Sequence, residues 1–207
     1  MSNIIELNNI SKTFDNQKKI SVLKNLSFKF KKGKIYSLSG PSGSGKSTLL
    51  NLLSLIDRPS SGSIKIDNQN INYNEIEIND KIRSNNIGIV YQEKNLLPDF
   101  TAIENVCIAS LAANNNHKIA EQESLKIIQK VGLKDRANHY PSELSGGEMQ
   151  RIAILRAIVN KPRIILADEP TGSLDHENAN QIFNLLFKLK NNDRVIIFAT
   201  HNRFFAN

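Results

Sequence analysis

The 207-residue sequence has no tryptophan, a single cysteine and no long apolar run. A lone Cys107 excludes an intrachain disulfide, which agrees with a reducing compartment, and a small buried position on a helix is its expected place. No stretch approaches the roughly 18 uninterrupted apolar residues of a membrane-spanning helix, and an acid at Glu6 interrupts the N-terminus. We therefore expect a chain that is neither secreted nor membrane-spanning. Its length allows one sizeable core with an inserted or appended subdomain.

The chain is basic, with a formal net charge of +7. Such a charge suits nucleic acid, an anionic membrane surface or a nucleotide-binding protein with a basic face, and composition leaves these open. Lysines occur as the pairs Lys18-Lys19 and Lys31-Lys32 without interleaved aromatic residues. A base-stacking platform for single strands is therefore not expected, and neither is a specific nucleic-acid partner.

The most informative stretch is glycine-rich and runs from Gly40 to Thr48. It fits the phosphate-binding pattern G-x-x-x-x-G-K-[ST] and lies between a strand-like run at 35–38 and a helix-like run at 49–53. Glycines let backbone N–H groups surround a phosphate at the positive end of the following helix. Lys46 would reach the β- and γ-phosphates, and Ser47 would place a hydroxyl on the bridging Mg²⁺. The nucleotide-binding residues predicted in this phosphate loop (P-loop) are Gly40, Pro41, Ser42, Gly43, Ser44, Gly45, Lys46, Ser47 and Thr48.

The periodicity of apolar residues predicts an α/β fold. Alternating runs indicate two antiparallel strands at 4–10 and 22–30, and 63–66 indicates a short strand. Near-continuous apolar runs indicate buried strands at 35–38, 87–91, 163–169 and 195–200. Helical patterns cover 101–111, 119–131, 148–159 and 177–190, the first opened by a capping box of Thr101 and Glu104. Residues 68–86 are polar and read as irregular. Strands that alternate with helices indicate a mostly parallel sheet with ligand groups at its carboxyl ends.

Two carboxylates, Asp168 and Glu169, follow the apolar run at 164–167. This order places them at the rim of a buried sheet beside the phosphate loop. Asp168 would hold Mg²⁺, directly or through water, and Glu169 would orient and deprotonate the attacking water. An acidic strand-end turn is the alternative for Asp-Glu alone, and the phosphate loop argues against it.

A second glycine motif, Leu144-Ser145-Gly146-Gly147-Glu148, precedes Gln150-Arg151 and an apolar helix. Ser145, Gly146 and Gly147 offer a hydroxyl and uncrowded N–H groups at a helix N-terminus, which makes a second anion site. Alone, Ser-Gly-Gly is typical of a helix-start turn. Combined with the phosphate loop, the motif resembles the signature of ABC-transporter ATPases.

That resemblance covers essentially the whole chain and implies a P-loop NTPase (RecA-like) core with an antiparallel β subdomain and an inserted helical subdomain. Residues 1–207 would form one ABC ATPase domain, with the nucleotide-binding core at 1–92 and 161–207 and the helical subdomain at 93–160. Gln92 resembles the Q-loop glutamine, which contacts Mg²⁺ and water, and His201 resembles the switch histidine at the γ-phosphate. Ser173-Leu174-Asp175 resembles the D-loop at the dimer seam, so Asp175 joins the nucleotide site. Phe14 resembles the aromatic residue that stacks on adenine, although a core phenylalanine is the alternative.

The finer resemblance is to the ATP-binding subunit of the lipoprotein-releasing system. It rests on four stretches of the sequence, namely 91–92, 95–102, 104–106 and 136–143. It implies ATP and Mg²⁺ as cofactors, a head-to-tail homodimer, membrane-spanning permease subunits as partners and a peripheral location on the cytoplasmic face of the bacterial inner membrane. The segment 96–101 would meet the permease.

Other members of the ABC family remain as alternatives. ATPases for macrolide export and cell division share the catalytic residues, and soluble ABC ATPases that act on nucleic acid or ribosomes are favoured only by the charge. Two departures from the pattern stand out. Glu93-Lys94 replaces a more usual aromatic or histidine pair after Gln92, and the chain ends six residues after His201, where relatives continue through another helix and strand.

Overall fold

The computed structural model describes residues 2–16, 18–172 and 174–201. Within these ranges, no helix is long and apolar enough to cross a membrane. The elements in chain order are β1 (Asn3–Asn16), β2 (Lys18–Lys31), β3 (Ile35–Leu38), α1 (Lys46–Leu53), β4 (Ser61–Ile66), β5 (Gln69–Asn70), α2 (Ile76–Asn86), β6 (Ile87–Val90), α3 (Ala102–Ala112), α4 (His117–Lys130), α5 (Gly146–Ile158), β7 (Ile164–Asp168), α6 (His176–Lys188) and β8 (Val195–Ala199). Short 3₁₀ turns lie at Lys134–Arg136 and Pro141–Glu143.

An antiparallel sheet forms the first layer, with strand order β2-β1-β4-β5. The buried residues Ile5 and Leu7 of β1 lie opposite the buried residues Ile66 and Ile64 of β4, and Ile4 is buried as well. The sheet contains the antiparallel strands that the sequence pattern predicts, although β1 and β2 extend beyond the predicted ranges.

A parallel sheet forms the second layer, with strand order β3-β8-β7-β6. On one face, Ile164 and Leu166 pack in the same cluster as α1 and the antiparallel sheet. On the other face, Ile165 packs with Phe183 of α6. Burial on both faces explains why these strands read as continuous apolar runs. The prediction of an α/β fold with one parallel and one antiparallel sheet is confirmed.

The helices α3, α4 and α5 lie between β6 and β7 in the chain and share a cluster of their own. Val106, Ile128 and Ile152 are fully buried in it. Helix α3 starts with the predicted capping box, in which Thr101 accepts from Glu104 N while the Glu104 carboxylate accepts from Thr101 N. The Thr101 hydroxyl and backbone N–H lower the pKa of the Glu104 carboxyl. Cys107 is buried on α3, as expected.

The prediction of an irregular segment at 68–86 is wrong. This segment contains β5 and the eleven-residue helix α2. The apolar pattern of α2 is weak because Ile76 and Ile78 are exposed, while Ile82 packs against the core. A buried asparagine, Asn79, donates its amide to Asn72 O at 2.9 Å, a contact that hydrophobic periodicity does not reveal.

Helix α5 packs directly on β6 at Gly88. A Cβ atom at Gly88 would lie 2.1 Å from Ala157 O. We expect Gly88→Ala to push α5 off the sheet and lower the free energy of unfolding by roughly 1–3 kcal/mol, the usual cost of overpacking. Urea denaturation measures this loss.

Gly146→Ala is the matched control for Gly88→Ala. A Cβ atom at Gly146 would come no closer than 3.8 Å, to Leu174 Cδ2, which is an ordinary contact. Since Gly146 is in the first turn of α5, alanine there should leave stability unchanged or raise it slightly. Equal urea midpoints for the wild type and Gly88→Ala would contradict the packing argument.

Candidate functional site

The carboxyl ends of three parallel strands meet at one edge of the sheet. Leu38, at the end of β3, lies opposite Ala199 of β8, and Ala199 lies opposite Asp168 of β7. The first residues after β8 and β7 each make a backbone hydrogen bond to the neighbouring strand, from Thr200 N to Leu38 O and from Glu169 N to Ala199 O. The loops that follow these strands therefore start from the same place.

The phosphate loop connects β3 to α1 with a backbone that suits glycine. Gly45 has a φ of 91°, and a Cβ atom there would lie 2.9 Å from Val22 Cγ1. Helix α1 begins at this glycine without a side-chain cap, so the N–H groups of its first turn are available to an anion. Lys46 Nζ donates to Gly40 O and Pro41 O at 2.9 and 3.0 Å. The lysine side chain thus bonds back to carbonyl groups at the start of the phosphate loop.

The two predicted carboxylates stand at the end of β7. Asp168 Oδ1 is buried and has no hydrogen-bond partner among the described residues. Glu169 has a φ of 46°, and its Oε1 atom lies 2.9 Å from His201 Nδ1, a distance at which a ring N–H donates to a carboxylate. The Glu169 side chain is 12% exposed and that of His201 is 68% exposed. The histidine therefore covers the glutamate from the solvent side.

These groups line one cleft of about 530 Å³. Its lining residues come from β2, the phosphate loop, α1 and the strand ends, and they are Val22, Ser42, Gly43, Gly45, Lys46, Ser47, Thr48, Gln92, Asp168, Glu169 and His201. Gly40 and Pro41 are not among these lining residues, but their carbonyl groups accept hydrogen bonds from Lys46. Ser44 N donates to Pro41 O within the same loop. Sequence reasoning missed Val22, because nothing in a β-strand pattern marks the side chain that will contact a distant glycine.

Other predicted residues lie outside this cleft, among them Ser145, Gly146 and Gly147. Ser145 caps α5 and forms a capping box with Glu148, whose carboxylate accepts from Ser145 N at 2.8 Å. This backbone bond, together with the Ser145 hydroxyl and the nearby Arg136, lowers the pKa of the Glu148 carboxyl. The helix end is exposed at Ser145. It can therefore meet a second molecule.

Asp175 also lies outside the cleft and caps α6. Its carboxylate accepts from Asn178 N and Asn178 Nδ2 at 2.9 and 2.6 Å, and the backbone bond is the largest cause that lowers its pKa. A Cβ atom at Gly147 would lie 2.4 Å from Asn178 Oδ1. Asn178 therefore joins the start of α6 to the start of α5. Ser173, the first residue of the predicted D-loop, lies outside the described residues.

Phe14 is on β1, and its ring is 38% exposed rather than buried in the core. Lys12 Nζ lies 4.9 Å from the ring centroid. The same ammonium group pairs with Asp57 Oδ1 at 2.6 Å and donates to Arg58 O. One face of the ring thus has a fixed cation next to it, and the exposed area remains for a planar ligand.

The donor set of the cleft suits Mg²⁺ together with a nucleotide. No group of three His, Cys, Asp or Glu side chains in the described part of the chain could hold a metal ion. The cleft instead offers the hydroxyl of Ser47, the amide of Gln92 and the carboxylate of Asp168. These are hard oxygen ligands, and Mg²⁺ is usually held by few protein oxygens plus phosphates and waters. The unpartnered Asp168 Oδ1 supports this fit.

Comparison with known proteins gives the same family. The chain matches the ABC transporter family over residues 23–172. It is 44% identical over 205 residues to the lipoprotein-releasing system ATP-binding protein LolD of Rickettsia bellii, covering 98% of this chain and 90% of the relative. The protein of the same name from Bacteroides fragilis is 41% identical, with 98% and 93% covered.

A solved structure agrees with these relatives. The dimeric structure of a post-hydrolysis state of the ATP-binding cassette MJ0796 bound to ADP and Pi superposes with a TM-score of 0.89 at 38% identity, covering 98% of this chain and 90% of that one. This similarity confirms the P-loop NTPase class of the fold. The chain therefore belongs to the ABC transporter family.

Proposed function

We propose that the chain is the ATP-binding and hydrolysing subunit of an ABC transporter that releases lipoproteins from the inner membrane. The observation that carries the proposal is the cleft in which Lys46, Asp168 and Glu169 meet at one sheet edge. The lipoprotein substrate is supported by relatives of that name at 44% and 41% identity over nearly the full chain. The alternatives of a macrolide exporter or a cell-division ATPase gain no specific support.

The phosphate loop and Phe14 bind ATP in this proposal. The uncapped N–H groups at the start of α1 receive the phosphates. Lys46 then exchanges its bonds to Gly40 O and Pro41 O for bonds to the β- and γ-phosphates. Phe14 offers the exposed face of its ring to the adenine.

Ser47, Gln92 and Asp168 would hold Mg²⁺ in the cleft. The ion, when bound, neutralises the charge that develops on the phosphates. Asp168 would act directly or through a water, since its Oδ1 atom is buried yet unpartnered among the described residues. Gln92 lies on the far side of the cleft, after β6, and would sense whether the nucleotide site is filled.

Glu169 is the proposed general base, and His201 assists it. With its carboxylate largely shielded, Glu169 would orient and deprotonate the attacking water. His201 donates to that carboxylate and fixes its position. His201 would also contact the γ-phosphate through the exposed part of its ring.

The active unit in this proposal is a head-to-tail homodimer. Ser145, Gly146, Gly147 and Asp175 lie outside the cleft of their own protomer, so they would complete the site of the partner. The dimeric state of the related cassette that is bound to ADP and Pi supports this arrangement. Hydrolysis would then reopen the dimer and drive the permease.

The proposed domain organisation and location follow the same reasoning. Residues 1–92 and 161–207 would form the nucleotide-binding core, and residues 93–160 the helical subdomain, which contains α3, α4 and α5. Leu97 and Phe100, exposed after Gln92, would contact membrane-spanning permease subunits. That contact would hold the protein peripherally on the cytoplasmic face of the inner membrane.

The first test separates catalysis from binding. Glu169→Gln should lower the rate of phosphate release by about a hundredfold to ten-thousandfold, because general-base catalysis is lost, and ATP binding should persist. Lys46→Ala should instead weaken ATP binding about tenfold to a hundredfold, because charge-assisted bonds are lost. Fluorescent-nucleotide titration and phosphate release distinguish the two. Lys34→Ala, an exposed lysine before β3, is the control and should change neither.

Substantial turnover in Glu169→Gln would remove Glu169 from the role of base. Unchanged ATP affinity in Lys46→Ala would remove the lysine from the phosphate site. Either result leaves the other assignment intact, because the two variants report on different steps.

The second test asks whether the sites are shared between protomers. Lys46→Ala and Ser145→Arg should each disable both sites of their own homodimers. When the two variants are mixed, random reassortment makes about half of all dimers mixed, and each mixed dimer has one site with both halves intact. Occlusion of radiolabelled ATP should therefore rise on mixing. If occlusion stays at the level of the separate variants although labelled subunits exchange, Ser145 does not act across the interface.

The third test concerns the transported substrate. In membrane vesicles that contain the chain with its permease, a lipoprotein should leave the membrane only when ATP is added, and Glu169→Gln should abolish this release. Vesicles that instead expel a macrolide would support the exporter alternative. A chain that shows no permease association and retains one RNA or DNA structure at physiological salt would contradict the transporter function, since non-specific binding collapses with salt.

A further inference from the structure

Arg156, near the end of α5, donates to backbone carbonyl groups that are distant from it in the sequence. Its Nη1 and Nη2 atoms bind Asn95 O and Lys94 O at 2.6 and 2.9 Å. These carbonyl groups belong to the segment that follows Gln92. The contact therefore joins the helix that begins at Ser145 to the glutamine of the cleft.

The charge of the guanidinium group also reaches Tyr91, the residue that precedes Gln92. Burial raises the pKa of the Tyr91 hydroxyl, and the charge of Arg156 partly offsets this rise. Burial lowers the pKa of Arg156 itself, whose bonds are thus partly shielded from water. The direct contacts of Arg156 are thus with the segment that follows Gln92.

A second side chain fixes the remainder of the same segment. Asn105 of α3 is fully buried, accepts from Leu97 N at 2.8 Å and donates to the carbonyl groups of Leu97 and Phe100. Asn95, whose carbonyl group Arg156 binds, has a φ of 46°, a left-handed value that asparagine tolerates better than most residues with a side chain. Asn105 therefore holds this segment at Leu97 and Phe100, while Arg156 holds it at Lys94 and Asn95, nearer to Gln92.

We propose that Arg156 is a positioning residue for ATP hydrolysis, which holds the segment 94–95 so that Gln92 reaches the cleft in step with the signature helix α5. The inference rests on the proposed ATPase function. Arg156 does not line the cleft with Lys46 and Glu169, so its route to the cleft is the segment that follows Gln92. ATP binding should therefore not depend on it, whereas the hydrolytic step should.

A double-mutant cycle tests this dependence in the full-length chain. Arg156→Lys keeps the charge but loses the two-pronged bond, so kcat for ATP hydrolysis should fall roughly tenfold while KM stays within about twofold. Gln92→Ala should lower kcat as well. In the Gln92→Ala background, Arg156→Lys should cause little further loss, because the residue through which it acts is gone.

Arg194→Lys provides the matched control. Arg194 also donates to two backbone carbonyl groups, Pro162 O and Leu189 O, and burial likewise lowers its pKa. It precedes β8 at the amino end of the sheet, opposite the cleft. Its replacement should lower thermal stability as much as Arg156→Lys does but leave kcat unchanged.

Hydrogen exchange supplies a second measurement. In Arg156→Lys, amide exchange should accelerate in residues 92–97 and stay unchanged in the phosphate loop. A loss of kcat that persists in full in the Gln92→Ala background would overturn the proposal, and so would a variant that fails to fold, since either marks a merely structural role. If the wild-type chain itself does not hydrolyse ATP, the proposed function fails first.

Discussion

The register of the parallel sheet is the constraint on which the site depends. Leu38, Ala199 and Asp168 end their strands side by side, and Thr200 N and Glu169 N extend the ladder by one bond each. Strands β7 and β8 are buried on both faces and β3 is half-buried, so a slip of one residue would move each side chain to the opposite face and disrupt the packing of both layers. Core packing thus brings the phosphate loop, the two carboxylates and His201 to one edge, and the bond from His201 then fixes the Glu169 carboxylate.

Helix capping explains why the glycine motifs before α1 and α5 differ in their capacity to bind an anion. Helices α3, α4, α5 and α6 start at a side chain that accepts a backbone N–H, whereas α1 starts at Gly45 with none. The first turn of α1 therefore keeps its full capacity for an anion. At α5, the Ser145 hydroxyl accepts from Glu148 N at 3.3 Å, and the Glu148 carboxylate brings negative charge close to the helix end. We therefore expect the proposed anion site at α5 to suit a phosphate whose charge is already partly neutralised by other groups.

The sequence predicted the parts of the fold whose causes are local. Buried strands, the capping box at Thr101 and the glycine loop each follow from a few adjacent residues, and the structure has them at the expected positions. Helix α2 was missed because two of its isoleucines face solvent and its buried asparagine binds the backbone of Asn72. Val22, Arg156 and Asn178 were missed for a different reason. Each contacts a residue that is distant in the chain or on another element, and no spacing in one sequence reports such a contact.

The proposed site has two parts, the cleft and the helix starts at Ser145 and Asp175, and each part is held in place by different contacts. The cleft half is fixed by the sheet, while the starts of α5 and α6 pack closely together, because Asn178 binds Asp175 and leaves room only for glycine at 147. A movement of α5 would therefore disturb the packing at the start of α6. The same movement pulls on the segment after Gln92 through Arg156, because guanidinium bonds to two successive carbonyl groups resist both sliding and rotation. The signature end of one protomer and the glutamine of its own cleft are consequently linked through a single helix.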